Sequence, residues 1–306
     1  MLRLDKRLVN VPVATVWTSY NSARDLDVAA ISSPADINRW LEGLTFETRL
    51  GLCEQNLVQT QLLYGEEVIV IEEKENWVHV IIPDQPTSKN KNGYPGWVPS
   101  SQLAECPLDW NINEGPVVIV KKPKAVLMDS NIELSYQTIL PLIKEGEGKV
   151  LVKTPTGTEF LSSDHVTISE SLVNRYKGNG NDIVADGMKF LNLPYLWGGM
   201  SSYGYDCSGF SYSMCKANGY IIPRDAHDQA KAGGEISIEE IQPGDLLFFA
   251  YEEGKGRIHH VGIYYGEGKL LHSPNTGKTV EIISLAGTIY EQELCAARRY
   301  WVESEA

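Results

Sequence analysis

Tyr205-Asp206-Cys207-Ser208-Gly209-Phe210 decides how this chain of 306 residues is read, because a Gly/Tyr-rich loop gives way there to a helical pattern. Phe210, Met214 and Ala217, with Cys215 adjacent, recur at helical spacing, which predicts Cys207 in the first turn of a helix. Unpaired backbone N–H groups and the positive end of the helix dipole favour thiolate over thiol at such a position. Burial in apolar surroundings acts in the opposite direction. Cys207 is therefore a candidate nucleophile.

The other cysteines, Cys53, Cys106, Cys215 and Cys295, are scattered and form no CxxC pair of the kind that zinc or redox sites use. A disulfide framework is not expected. Cys215 and Cys295 read as small buried hydrophobes, whereas Cys207 alone has a polar, Gly-rich approach. A hydrophobic content of 42% with 22% charged residues is that of an ordinary globular protein, and the length predicts two or three domains. The net charge of -13 argues against a nucleic-acid or anionic-membrane surface, both of which reward Lys/Arg clusters. Met1-Leu2-Arg3-Leu4-Asp5-Lys6 lacks the apolar core of a secretory leader, and no stretch approaches a membrane span. As given, the chain reads as cytoplasmic; an envelope protein trimmed of its leader would read the same.

Working outward toward the N-terminus, short strand patterns separated by turn residues predict a small β-barrel. Its strands include Val11 to Trp17, Val68 to Ile71, Trp77 to Ile81 and Gly96 to Pro99. Ser33-Pro34-Ala35-Asp36 opens a helical insertion running through Trp40 and Leu44, with Pro at its first position. A second copy follows. Tyr64-Gly65-Glu66-Glu67-Val68 is echoed by Tyr136-Gln137-Thr138-Ile139-Leu140, and Trp97-Val98-Pro99-Ser100-Ser101 by Phe160-Leu161-Ser162-Ser163-Asp164, as an internal duplication would leave. These strings resemble bacterial SH3 domains, the first copy more closely than the second. In that family the domains bind cell-wall material or shape a neighbouring active site. The expected boundaries are 1–106 for the first barrel with its insertion, 107–170 for the second, and 171–306 for a last domain.

In that last domain helical patterns precede strands, an α+β layout. A thiol nucleophile needs a base, and the base needs a group to fix its ring. In Arg257-Ile258-His259-His260-Val261-Gly262-Ile263-Tyr264, strand alternation puts His260, Gly262 and Tyr264 on one face and the apolar Val261 and Ile263 on the other, with His259. The missing side chain of Gly262 leaves room for a close neighbour. His272 ends the next strand, joined by the turn Gly266-Glu267-Gly268. Neighbouring strands lie about 4.8 Å apart, so the imidazoles of His260 and His272 are placed to hydrogen-bond. Each is equally compatible with a solvated strand histidine.

Five blocks carry a resemblance: Leu193-Pro194-Tyr195-Leu196-Trp197-Gly198-Gly199, Asp206-Cys207-Ser208-Gly209-Phe210, Pro223-Arg224-Asp225-Ala226, Gln242-Pro243-Gly244-Asp245-Leu246 and His260-Val261-Gly262-Ile263-Tyr264. Their kind and order resemble the NlpC-type cell-wall cysteine peptidases. The resemblance implies a rearranged papain-like domain that cleaves peptidoglycan stem peptides after γ-D-glutamate, with no metal or organic cofactor. It implies Cys207 as nucleophile, His260 as general base and His272 as the orienting residue. Tyr195 would help the Cys207 N–H hold the oxyanion, where each such donor is worth about 3 kcal/mol. Trp197 would form a wall of the substrate cleft, and Asp206 and Ser208 would line it.

Together with paired SH3-like domains, the blocks resemble γ-D-glutamyl-L-diamino acid endopeptidases, which act on stem peptides with a free N-terminal L-alanine. A buried ammonium needs a carboxylate partner. Asp225 is the matching candidate, and it is equally placed to cap the following helix. Tyr94, on a loop of the first barrel, is a candidate to close over the peptide N-terminus, and Glu54 to add a second carboxylate; neither lies in a matching block. Ala226 departs from the pattern, since related enzymes often carry a hydroxyl there. Two other readings stay open: a wall-binding protein with a relic last domain, and an amidase or acyltransferase on the same framework. The choice between lysine and diaminopimelate as leaving residue is not written in the charge inventory.

Overall fold

In the computed structural model, which describes residues 5–173 and 175–302, the chain divides into two compact units. Of the described residues, the first holds those within 5–83, 95–173, 175 and 200–203, and the second those within 84–94, 176–199 and 204–302. Met1 to Leu4, read above for a leader, lie outside the described residues.

The first unit is built from antiparallel ladders. Seven strands follow one another in the spatial order Val58–Leu63, Val13–Trp17, Tyr94–Pro99, Trp77–Ile82, Glu67–Lys74, Lys6–Val9 and Leu103–Glu105. A five-stranded sheet has the order Gly157–Ser162, Lys149–Thr154, Ile139–Gly146, Val117–Val120, Val166–Ser169. The duplication is visible in the backbone. The ladder between Glu67–Lys74 and Trp77–Ile82 breaks register between Val70 and Glu72, and the second copy breaks between Leu142 and Lys144. Such bulges bend a strand at a fixed place and let a small barrel close. Gly65 and Gln137 hold matching left-handed turns, φ +80° and +65°, after buried Tyr64 and Tyr136. One apolar cluster joins Leu8 and Tyr64 to Val118, Leu134, Leu140 and Val152, so the two copies share a core.

The insertion differs from its sequence reading. Its helix runs Ile37–Gly43 and is capped by Asp36, whose side chain accepts from the Arg39 N–H, so Pro34 lies outside the helix. Asp at the cap accepts a hydrogen bond from an orphan N–H, which Pro at N1 cannot supply. Two further helices, Val28–Ile31 and Phe46–Glu54, flank it.

The second unit carries a six-stranded antiparallel sheet in the order Gly234–Ile236, Leu294–Arg299, Leu246–Ala250, Ile258–Gly266, Lys269–His272, Glu281–Ser284. Helices Gly180–Met188 and Cys207–Ala217 pack on it; a Cβ placed on Gly187 would lie 2.7 Å from Leu271 and 3.1 Å from Phe210, which shows how close the approach is. The strand Ile258–Gly266 was expected to bury one face. In the structure His260, Val261, Gly262 and Ile263 are all buried. The second face is covered because Leu247, Phe249 and Leu270 gather Leu285, Tyr290 and Leu294 from the chain that follows. Among the described residues no helix is long and apolar enough to cross a membrane.

Candidate active site

Cys207 is the first residue of the helix Cys207–Ala217, whose cap is Asp206. The Asp206 carboxylate accepts from the Gly209 N–H at 2.6 Å and from the Gly198 N–H at 2.9 Å. Gly198 sits at φ +74°, a left-handed conformation that glycine adopts without strain, and this turns the Trp197-Gly198-Gly199 loop onto the helix start. Arg224, 1% exposed, grips the same carboxylate through two nitrogens, at 2.7 and 3.2 Å, and donates to the Ser208 hydroxyl at 2.8 Å. Asp206 and Ser208, read as cleft-lining, thus have their side chains engaged in fixing the helix terminus. Arg224 was quoted in a block but given no role; its fork geometry is what holds a buried carboxylate in one orientation.

Hydrogen bonds tie the segment before the helix to its neighbours. Tyr195 donates its N–H to the Lys278 carbonyl at 2.9 Å and bridges to Tyr205, two residues before the thiol, while Leu196 donates to the Tyr205 carbonyl at 3.1 Å. The Ser273 hydroxyl donates to that same carbonyl at 2.8 Å. Tyr195 is buried and Trp197 half-buried beside it.

The imidazoles of His260 and His272 meet as the strand register requires, Nε2 to Nδ1 at 2.8 Å. His260 is 3% exposed and His272 fully buried. Tyr290, which no motif marks, packs its ring 5.1 Å from both imidazoles. Burial lowers the His260 pKa well below the ordinary value, helped by the neighbouring His272 and His259, and lowers His272 to about 4. His259 faces elsewhere: it pairs with Glu293 at 2.9 Å and stacks on Tyr251.

The helix start was expected to favour the Cys207 thiolate. Burial and the Asp206 charge instead push the thiol up to about 12, against the opposing pull of the Val261 and Ser208 N–H groups and of Arg224. Both shifts act in the same sense: they favour the neutral thiol and the neutral imidazole. The contact with the Val261 N–H puts the sulfur beside the residue that follows His260.

Space at this strand crossing is tight. A Cβ on Gly262 would lie 2.7 Å from Leu270 Cδ1 and 2.9 Å from His272 Cβ. Gly262→Ala is expected to cost about 1–3 kcal/mol of stability and to lower kcat by displacing His272, read by thermal unfolding and by turnover on one sample.

Asp225 stands at the cap position of the short helix Ala226–Gln229, but its side chain makes no capping hydrogen bond. Its carboxylate accepts from the Tyr94 hydroxyl at 3.0 and 3.2 Å and pairs with Lys89 at 3.1 Å. Tyr94, 1% exposed, comes from the segment 84–94 that belongs to this unit. Burial, then the Asp225 charge, raises its pKa above the ordinary value, so it stays a hydrogen-bond donor. That segment is anchored by the Arg224 N–H on the Pro86 carbonyl at 2.9 Å and the Ser88 N–H on Asp228 at 2.8 Å. Asp225, His227 and Asp228 offer ligand atoms within 4.8 Å of one another, yet Asp225 and Asp228 already have the partners just named and His227 is exposed. Glu54 is exposed at the end of the helix Phe46–Glu54 in the first unit.

Residues 192–299 match the NlpC/P60 family, 120–168 the YKFC SH3b2 domain and 54–103 the bacterial dipeptidyl-peptidase Sh3 domain. The chain is 51% identical over 296 residues to a γ-D-glutamyl-L-lysine dipeptidyl-peptidase of Bacillus subtilis (strain 168), covering 95% of this chain and 97% of the relative. It is 38% identical over 302 residues to the protein of the same name from Bacillus cereus (strain ATCC 10987), covering 96% and 91%. A crystal structure of an NlpC/P60 family protein from Bacillus cereus ATCC 10987 superposes with a TM-score of 0.94 at 38% identity, over 97% of this chain and all of that one.

Proposed function

The chain belongs to the NlpC/P60 family of cysteine peptidases with bacterial SH3 domains, and from that premise we propose that it hydrolyses the γ-D-Glu to L-lysine bond of peptidoglycan stem peptides whose N-terminal L-alanine is free, releasing L-Ala-γ-D-Glu. The relatives' name supports the bond and the leaving residue. The observation that carries the free amine is Asp225: its carboxylate is not spent on its helix and is held by Tyr94 in the unit that contains Cys207. In this reading three domains, 1–106, 107–170 and 171–306, share the work, and the first lends its segment 84–94 to the unit of the last.

The chemistry follows from the tautomers. For His260 to accept a proton through Nδ1, its Nε2 must carry hydrogen and donate to His272 Nδ1. That leaves the hydrogen of His272 on Nε2, 3.7 Å from Glu281 Oε1, where the carboxylate charge favours the imidazolium that forms next door. Cys207 Sγ attacks the γ-carbonyl carbon while its proton passes to His260. The Cys207 N–H and Tyr195 hold the oxyanion. The tetrahedral adduct collapses to a thioester as His260 protonates the departing lysine amine. Water, deprotonated by His260, then hydrolyses the thioester and restores the thiol.

L-Ala-γ-D-Glu-L-Lys is expected to be cleaved and its N-acetyl form left intact, with Asp225→Asn lowering kcat/KM on the free peptide by at least about tenfold, the loss of an ion pair's worth of about 1.4 kcal/mol or more. Equal turnover of the two peptides overturns the amine reading, and no turnover of either overturns the peptidase. The pH profile carries the same signature. Because Asp225 takes the ammonium, kcat/KM falls as pH rises through the substrate amine pKa near 8. Because His260 must be neutral and its pKa is held well below 6.5, activity persists on the acid side of that value.

A further inference from the structure

Asp225 already has a cation partner within the chain. The Lys89 ammonium lies 3.1 Å from Asp225 Oδ2, hydrogen-bonds the Tyr94 hydroxyl, and stands 4.2 Å from the centroid of the Tyr94 ring. A carboxylate, a phenol oxygen and an aromatic face around one cation are the elements from which ammonium-binding cages are built. We propose that Lys89 is a competing plug: its side chain occupies the cation place of the amine subsite and yields it only to another ammonium, the N-terminus of the substrate. The inference rests on the amine reading of Asp225 given above and adds the residue that competes for it.

Three observations support exchange over a fixed structural bridge. Lys89 is 39% exposed while Asp225 is 18% exposed, so the cation has a way out and the carboxylate does not. The backbone on one side is pinned through Pro86 and Ser88, and Tyr94 is buried on the other, so only the four-carbon stem has to swing. A partly exposed ion pair is weak, which makes its displacement inexpensive for a ligand that brings its own charge. A neutral, acylated N-terminus gains nothing from Asp225 and leaves Lys89 in place.

Calorimetric titration with the product dipeptide L-Ala-γ-D-Glu and its N-acetyl form tests this on the full chain, with wild type, Lys89→Met, Lys89→Arg and Asp225→Asn. Lys89→Met removes the competitor and is expected to bind the free dipeptide two- to fivefold tighter, about 0.4–1 kcal/mol, with the N-acetyl form unchanged. Lys89→Arg restores a cation and is expected to return affinity to within about twofold of wild type. Unchanged or weaker binding by Lys89→Met, with Asp225→Asn still impaired, overturns the plug and leaves the amine reading standing. Tightening by Lys89→Arg equal to that of Lys89→Met also overturns it, since charge would not be the obstacle. Wild-type affinity in Asp225→Asn, or equal affinity for both dipeptides, overturns the amine reading and the plug with it.

Discussion

Cys207→Ala is expected to abolish release of L-Ala-γ-D-Glu, by at least about 10³-fold, the order of loss that follows removal of an activated nucleophile, while leaving the thermal midpoint near that of wild type. The two readouts separate because the helix Cys207–Ala217 is anchored by other groups: Asp206 caps it, Arg224 holds Asp206, and Gln229 donates to the Ser208 carbonyl at 3.0 Å. Alanine at the first helical position keeps all of these. Cys207→Ser is expected to be as inactive, because a hydroxyl is far less acidic than a thiol and His260 is a weak base in its buried setting. The direction of these shifts adds a kinetic check. With the thiol pKa near 12, alkylation by iodoacetamide should quicken about tenfold per pH unit across the neutral range, following the thiolate fraction. A rate flat from pH 6 to 9 would show a preformed thiolate–imidazolium pair, and His260 would then act only as the acid in the first step.

How much of this was legible in the sequence depends on the range of the interaction that fixes each feature. Helix placement of Cys207, the pairing of His260 with His272 and the duplicated barrels are local or register-bound, and periodicity and turn residues express them directly. The bulges at Val70/Glu72 and Leu142/Lys144 lie just past the two echoed strings, at equal distances from Tyr64 and Tyr136. Features set by distant chain were harder to read. The protonation of Cys207 reversed because burial outweighed the helix terminus, and nothing in a hexapeptide states how deep it lies. The cover on the second sheet face comes from 285–294, a stretch with no motif, so Tyr290 went unmarked. Asp225 had two uses open to it from sequence, and only the fold turns its carboxylate to Tyr94 and away from its own helix. Lys89, in Lys89-Asn90-Lys91-Asn92, reads as part of a solvated basic loop.

The largest loss of stability is expected from Arg224→Met, about 3–5 kcal/mol, because it leaves the buried Asp206 carboxylate without its charged partner. The loss depends on which partner is left behind. Burial alone would lower the Arg224 pKa, but Asp206, at 2.7 Å, more than offsets it and holds the guanidinium above its ordinary value. Each charge therefore depends on the other. Asp206→Ala leaves a buried guanidinium and also orphans the Gly209 and Gly198 N–H groups, adding about 1 kcal/mol for the lost cap. In the double variant no charge is stranded, so its loss should fall short of the sum of the singles by about 2 kcal/mol or more, measured by urea unfolding with the slopes compared. Lysine is not expected to rescue position 224, since a single ammonium cannot reach both Asp206 oxygens and the Ser208 hydroxyl as the planar fork does. Simple additivity in the cycle would mean that Arg224 and Asp206 support the helix independently. The orientation of the Cys207 helix would then be owed to the Gly198 turn, and Gly198→Ala, strained at φ +74°, would become the more damaging change.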